Sequence, residues 1–338
     1  MSWPAIALEV LGGLVLFLFG VLQLAKGIEP LASRRARHLL GRFTTNRFAG
    51  LATGTIATTI LDSSSVTIIL VIALVNGGLL TFQQSLGVIL GSNIGTTVSS
   101  QIFARDVEAY APLVLFAGFL VFVTARGSDR RRQVGLAVLG LGLVFFGLHY
   151  IGEAVAPLRD NQRFMRWMTG LERPLVGVAV GAAATVVIQS SSAMLGIVIT
   201  LATQGLVTLP AGLAVMLGAE IGTCADTLVA SIGRTRAAVR AGLFHLAFNI
   251  LSVAIGVILI EQLAALARAL PGGDSVPQQI ANAHVAFNIL GVGAFIGFTP
   301  WIARQLERFV PDRAGEKRGA DDNAGPDQSD PRVAAGAS

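Results

Sequence analysis

The sequence predicts an all-α polytopic membrane protein with an inverted-topology repeat, each unit carrying a re-entrant helical hairpin. Three observations lead there: apolar runs long enough to cross a bilayer, a gapless internal repeat, and the placement of arginine between the runs. Hydrophobic residues make up 53% of the 338-residue chain and charged residues only 13%, about half the share of a soluble domain. Mean hydropathy is +0.68. A hydrocarbon core ~30 Å thick takes about 20 helical residues to cross. Runs of that order span Ile6 to Ala25, Phe82 to Ile102, Tyr110 to Ala125, Gln133 to Gly152, Leu209 to Ser231, Ala237 to Ile260 and His284 to Ala303. They are continuously apolar, where the strands of a transmembrane barrel would alternate.

The first run follows Met-Ser-Trp-Pro with no basic residue before it, so it is expected to persist as an anchor and not to be cleaved as a signal peptide. Between the first run and the next polar break, Lys26 to Arg47 holds six basic residues against Glu29. Arg126 to Arg132 holds four arginines against Asp129, Arg234, Arg236 and Arg240 form a third basic loop, and Arg304 and Arg308 open the tail. Short cytoplasmic loops carry the excess of Lys and Arg, so these four segments are expected inside, in a cell inner membrane. Arg105 to Glu108, Glu153 to Arg173 and Glu261 to Gln279 are balanced or mixed and are expected outside. The sequence pI near 10.3 therefore reflects topology rather than a nucleic-acid partner. Cys224 is the only cysteine, so no intrachain disulfide forms.

Shifting the chain by 127 residues lays Asp62-Ser63-Ser64-Ser65 on Gln189-Ser190-Ser191-Ser192 and Gly91 to Thr96 on Gly218 to Thr223. Over Gly50 to Thr97, 21 of 48 positions match Gly177 to Cys224, and Gly13, Phe19, Gly20 and Pro30 fall on Gly140, Phe146, Gly147 and Pro157. Shared greasiness alone does not align two serine triplets, each followed 28 residues later by G-x-x-I-G-T. The loop charges are satisfied only if Gly50 to Asn76 enters and leaves the bilayer on one side. Each unit is then a crossing, a re-entrant hairpin and two crossings. Three crossings is odd, so the second unit runs inverted, as in many secondary transporters. The expected organisation is a first repeat at 6–132 with its hairpin at 50–76, a second at 133–260 with its hairpin at 177–203, a further helix at 284–303, and a disordered tail at 304–338.

A helix broken inside the bilayer leaves backbone groups unpaired, tolerated only where protein or water surrounds them. Thr53, Thr55, Thr58, Thr59, Ser63, Ser64, Ser65 and Thr67 put eight hydroxyls within fifteen residues around the first break, and Thr185, Gln189, Ser190, Ser191 and Ser192 serve the second. Helix N-termini attract anions, and freed carbonyls with hydroxyls coordinate cations. Two such tips meeting near the midplane make one site for an anion and its coupling cation. Hydroxyls also simply knit membrane helices together, and for any single serine that reading stands. His245-Leu-Ala-Phe-Asn249 and His284-Val-Ala-Phe-Asn288 are near-copies whose His and Asn share a helix face, read as interhelical hydrogen bonding ahead of a proton relay. No nucleophile is paired with a base, so an enzyme is not expected, nor any cofactor.

These paired segments, a serine triplet followed by G-x-N-I-G-T-T, resemble the type II sodium-dependent phosphate cotransporter family and its bacterial relatives, from about Leu11 to Arg304. The resemblance implies inorganic phosphate as substrate, sodium as coupling ion and alternating access, with no metal beyond the transported sodium. By position it assigns phosphate to Ser63, Ser64, Ser65, Gln189, Ser190, Ser191, Ser192, Asn93, Gly95, Thr96, Gly222 and Thr223. The coupling cation falls to Asp62, Ser64, Thr67, Gln189, Ser191 and Glu220. Asp62 stands where the family's first motif has Gln, Glu220 where the second has Asn and Cys224 where it has Thr. Sodium and proton therefore both stay open as coupling ion, as do another small oxyanion and, in a different class, an ion channel. Membrane lipid is the surrounding partner, and oligomerisation is open.

The acids sharpen the point. Between Phe48 and Ala104 the only charge is Asp62, and between Pro174 and Gly233 the only charges are Glu220 and Asp226. A carboxylate at the bilayer centre costs about 2.5–3.5 kcal/mol, so an unpaired one is expected to hold a cation or a proton. For Asp226, solvation in a watery vestibule and function are both open.

The charge pattern yields a topology test. In a protein whose Cys224 is replaced by Ser, single cysteines at Arg105 and Asp274 are expected to react with a membrane-impermeant thiol reagent from outside, and one at Arg130 is not. Outside labelling at Arg130 would overturn the inverted arrangement.

Overall fold

The computed structural model describes residues 3–44, 46–105, 108–125 and 127–313. Every regular element among the described residues is helical. In chain order these are α1 (Trp3–Phe43), α2 (Arg47–Leu61), α3 (Ser64–Asn76), α4 (Phe82–Phe103), α5 (Ala111–Thr124), α6 (Asp129–Val155), α7 (Gln162–Gly170) and α8 (Pro174–Ile188). They continue as α9 (Ser191–Thr203), α10 (Leu209–Gly222), α11 (Cys224–Ser231), α12 (Arg236–Ile258), α13 (Ile260–Ala269), α14 (Val276–Ile296) and α15 (Thr299–Phe309). Five spans, Trp3–Leu31, Asp129–Asp160, Leu209–Ser231, Arg236–Ile258 and Val276–Ile296, are long and apolar enough to cross a membrane. The protein is an all-α, multi-pass membrane protein.

The 127-residue offset of the sequence reappears in the helix boundaries. α2 and α8 occupy equivalent positions to the residue, as do α3 and α9, and α4 corresponds to α10 with α11. The α2–α4 and α8–α10 contacts, among the most extensive in the molecule, are made the same way in both halves. A Cβ on Gly91 would lie 2.1 Å from the Leu51 carbonyl oxygen, and one on Gly218 would lie 2.1 Å from that of Val178. Gly54 and Gly181 meet the Val88 and Val215 carbonyls at 2.2 Å in the same sense. Small residues let membrane helices approach backbone to backbone, and here that approach pins each broken helix to the helix carrying its G-x-x-I-G-T segment.

Several expected boundaries shift. The basic stretch Lys26 to Arg47, expected as a loop, is mostly helix, because α1 continues unbroken past Pro30 to Phe43. Of the seven expected crossings, α4 is about 33 Å long but polar, with Ser92, Asn93, Thr96, Thr97, Ser99 and Ser100 all buried. It is sheathed by protein and so has no need of an apolar surface. α5 is apolar but, at 14 residues, only about 21 Å long, and it packs along α6. The last crossing starts at Val276, eight residues before His284, with Pro277 in its first turn, where the missing N–H costs nothing. It stops at Ile296, and α15 follows after Gly297 and Phe298. Within the expected tail, Arg304 to Phe309 is therefore helical; Thr299 and Ala303, four apart, bury one face of α15. Arg240 ties down the chain beyond by bonding the Val310 carbonyl and the Asp312 carboxylate. The rest of the tail, 314–338, lies outside the described residues.

One helix changes place in the repeat. The gapless shift pairs α5 with α12, yet α5 packs on α6, while α12 packs on α3, α4, α10 and α11. The helix that matches α12 is α14, the one that the gapless repeat leaves over. α12 buries Phe244 and Phe248 in a core formed by α2, α3 and α4, and α14 buries Ile280 and Phe287 in the core formed by α9, α10 and α13. Each hairpin thus has a helix carrying H-x-A-F-N at its back. A third core joins α1 and α6 through Phe17, Val144, Leu148 and Ile151 and touches the α9 tip at Ala193.

Gly91→Ala is expected to lower the thermal midpoint in detergent, by an amount corresponding to about 1–3 kcal/mol of overpacking. Gly293→Ala, where nothing lies within 4 Å of the added Cβ, should leave it unchanged. Equal midpoints for the two would remove the close helix approach as the basis of the repeat's packing.

Candidate functional site

Each break is built by the same two residues. Asp62 (φ 50°) ends α2 and Gln189 (φ 60°) ends α8, and they are the only non-glycine residues with positive φ among the described residues. Left-handed backbone costs an L-residue about 1–2 kcal/mol, so its occurrence at equivalent positions of both halves marks a conformation that the surroundings enforce. The next residue, Ser63 or Ser190, is extended and caps the following helix, its hydroxyl oxygen accepting from the Val66 or Ala193 N–H. Because the oxygen serves as acceptor in the cap, each hydroxyl hydrogen stays free to donate elsewhere.

The two tips meet. Asp62 and Thr59 from the first, with Ser190, Ser192 and Ala193 from the second, line one cavity of about 130 Å³. Ser99 of α4 lines it too and donates its hydroxyl to the Asp62 carboxylate. The remaining wall is apolar and comes from α1, α4 and α6, including Val21, Phe103 and Phe145. Polar groups are thus confined to the side where the tips converge. In the first hairpin, Ser65 lies 3.3 Å from the Thr223 hydroxyl. Position 99 of the first half corresponds to 226 of the second, and 62 to 189. Within these two pairs of positions each half therefore has one carboxylate, at the tip in the first and on the facing helix in the second.

The other expected site residues divide into those near the tips and those that hold the helices together. Ser64 and Ser191 are buried in the first turns of α3 and α9. Thr67 donates to the Ser63 carbonyl at 3.0 Å and accepts from Thr58 at 2.9 Å, so its hydroxyl closes the hairpin. Asn93 is buried, its amide turned back to the Ile89 carbonyl at 2.9 Å, and Thr96 bonds the Asn93 carbonyl at 2.8 Å. Gly95 and Gly222 are spacers, where a Cβ would collide with Thr58 or Thr185. Gln189 is exposed. Glu220 is fully buried away from the cavity, 2.8 Å from His284 Nε2 and 3.3 Å from the Asn288 amide.

The sequence does not single out Ser99, and it predicts an interhelical hydrogen bond for His284, which the structure shows, without naming Glu220 as its partner. Ser99 sits one helical turn past Thr96, and its signal was the repeat itself, since its counterpart is the acid Asp226. His284 supplies the partner that Glu220 lacks within its own stretch, and its signal was the doubled H-x-A-F-N, whose histidines both bond across helices: His284 to Ser100 and Glu220, His245 to Thr227.

Among known proteins, the chain is 27% identical to Uncharacterized protein YqeW of Bacillus subtilis over 88% of this chain and 96% of that one. It is 25% identical to Putative inorganic phosphate export protein YjbB of Salmonella typhimurium, over 90% of this chain but 56% of that protein's length. A shorter stretch, 28% of this chain and 15% of its relative, is 31% identical to Sodium-dependent phosphate transport protein 2A of Rattus norvegicus. No solved structure matches. The family described as Na+/Pi-cotransporter matches once in each half, at residues 16–153 and 159–297, and this protein belongs to it.

Proposed function

We propose that this protein is a secondary transporter that moves inorganic phosphate coupled to sodium, by alternating access at the cavity where the two hairpin tips meet. The carrying observation is the composition of that cavity: a carboxylate and a set of hydroxyls from symmetric helix breaks, facing an otherwise apolar wall. Ser190 and Ser192 offer hydroxyl donors beside the N-terminus of α9, a setting that favours an anion. Asp62 opposes it. At ~4 Å and an effective dielectric of ~20, two like charges repel by about 4 kcal/mol, so phosphate and Asp62 share the cavity only with a cation between them. Sodium held by Asp62 and phosphate held by Ser190 and Ser192 supply that arrangement, and neither ion binds well without the other. This mutual dependence is what symport requires.

Alternating access is then the movement of the paired hairpins, re-entrant from opposite faces, against α1 and α6, which close the cavity's apolar side. The names of the relatives, phosphate export for YjbB and sodium-dependent phosphate transport for 2A, agree with the substrate and the ion. The basic segments would face the cytoplasm.

Radiolabelled phosphate uptake into proteoliposomes is expected to depend on an imposed sodium gradient; equal uptake with potassium in place of sodium would exclude sodium coupling. Ser192→Ala should weaken phosphate binding by about tenfold or more, the worth of one hydrogen bond to a charged group, without loss of folded protein. Asp62→Leu should abolish flux, while Asp62→Gln, carrying the residue found at the equivalent position of the second hairpin, should retain flux with an altered sodium dependence. Superimposable sodium curves for wild type and both Asp62 variants would remove Asp62 from the cation site.

A further inference from the structure

Away from the cavity, Glu220 is 1% exposed and His284 is 0% exposed. The hydrogen positions around them follow from the network. The Ser100 hydroxyl donates to the Thr97 carbonyl at 2.8 Å, so its oxygen is left as an acceptor for His284 Nδ1 at 3.0 Å. With a hydrogen on Nδ1, the 2.8 Å contact between Nε2 and Glu220 Oε1 needs one further hydrogen, on the ring or on the carboxyl. Without it, a carboxylate oxygen and a ring lone pair would face each other at hydrogen-bond distance in a buried site. Asn288 donates to the same oxygen at 3.3 Å, which stabilises either placement of the proton.

We propose that Glu220 and His284 form a proton-binding site, distinct from the hairpin cavity, whose occupant is one proton shared across their contact and exchanged during transport. The twofold mate argues that the carboxylate is not there for packing. Around His245 the same geometry recurs, with Nδ1 2.9 Å from the Thr227 hydroxyl and Nε2 3.9 Å from the Cys224 sulfur, and the position equivalent to Glu220 is Asn93. At the position where the second half buries this acid the first half has a neutral amide, so the acid is carried at a cost that packing does not demand.

The ionisable groups facing the pair are few. α11 contributes Cys224 and Asp226, and α12 contributes His245; Glu220 interacts electrostatically with Cys224 and His245. α4, α9 and the rest of α14 carry no ionisable residue, Glu261 and Arg268 of α13 are exposed, and Arg240 of α12 is paired with Asp312. The route to the cavity is short. Ser100, which receives the His284 hydrogen bond, is the neighbour on α4 of Ser99, which holds Asp62. Loss of the proton places two acceptors in contact, separates α14 from α10 and changes the position of α4 beneath Asp62.

The consequence for transport rests on the proposed phosphate carrier, so the test has two arms. Infrared difference spectroscopy of the reconstituted protein between acid and alkaline pH reads carboxyl protonation without any flux. A protonated-carboxyl band is expected in wild type, lost in Glu220→Gln and shifted in His284→Gln. In proteoliposomes containing a trapped pH dye, wild type is expected to move protons with phosphate, and the protons moved per phosphate are expected to be lost in Glu220→Gln. A titrating band or a proton-to-phosphate ratio unchanged by Glu220→Gln overturns the proton site. Absence of phosphate flux in wild type overturns the carrier instead, and the infrared band alone then decides the site; if Glu220→Gln does not fold, His284→Gln and its band shift decide it.

Discussion

A helix stopped inside the molecule must find partners for the carbonyls it ends on and the N–H groups with which the next helix begins, and lipid offers none. Here the stop is made twice, by a left-handed residue and a serine cap at Asp62-Ser63 and Gln189-Ser190. Everything else follows the need to enclose those stops. The caps satisfy the first N–H groups from within, Thr58 and Thr67 close the first hairpin across its legs, and α4 and α10 come in at glycine contact to shield the rest. The polar α4 and the buried hydroxyls that make the chain look ill-suited to a membrane are the shield.

The enclosing helices explain why two halves of the chain are needed. A single hairpin with its glycine-packed partner supplies only part of the cavity wall, and the other tip contributes Ser190, Ser192 and Ala193 to it. α12, from the second half, then backs the first hairpin, and α14 backs the second. α14 also packs on α4, so the helix carrying His284 joins the two halves, the contact through which the proposed sites at the cavity and at Glu220 would influence each other.

Much of this was legible in the sequence because the repeat is gapless: one offset aligned the serine triplets, the G-x-x-I-G-T segments and, in the structure, the helix ends themselves. Asp62 stood out because no basic residue lies near it in sequence, and it does line the cavity. What the sequence concealed were relations between segments far apart in the chain. Ser99 looked like one hydroxyl among many until the fold set it against Asp62, 37 residues away. Glu220 looked unpaired because His284 lies 64 residues on, and α14 looked surplus because the swap with α5 occurs in packing and leaves no mark in hydropathy. Helix ends were misjudged where apolarity was the only guide, as at α1, whose basic end continues the helix, and at α14, whose first turns are polar.

In the proposed carrier the two hairpin tips converge on one cavity that phosphate and sodium occupy together. Cysteines placed at Ser99 and Ser192, in a protein with Cys224 replaced by Ser, should be bridged by a short bifunctional thiol reagent. Phosphate and sodium added together should slow that bridging, and either alone should slow it much less. Failure to bridge under any condition, or bridging indifferent to the two ions, would contradict the account.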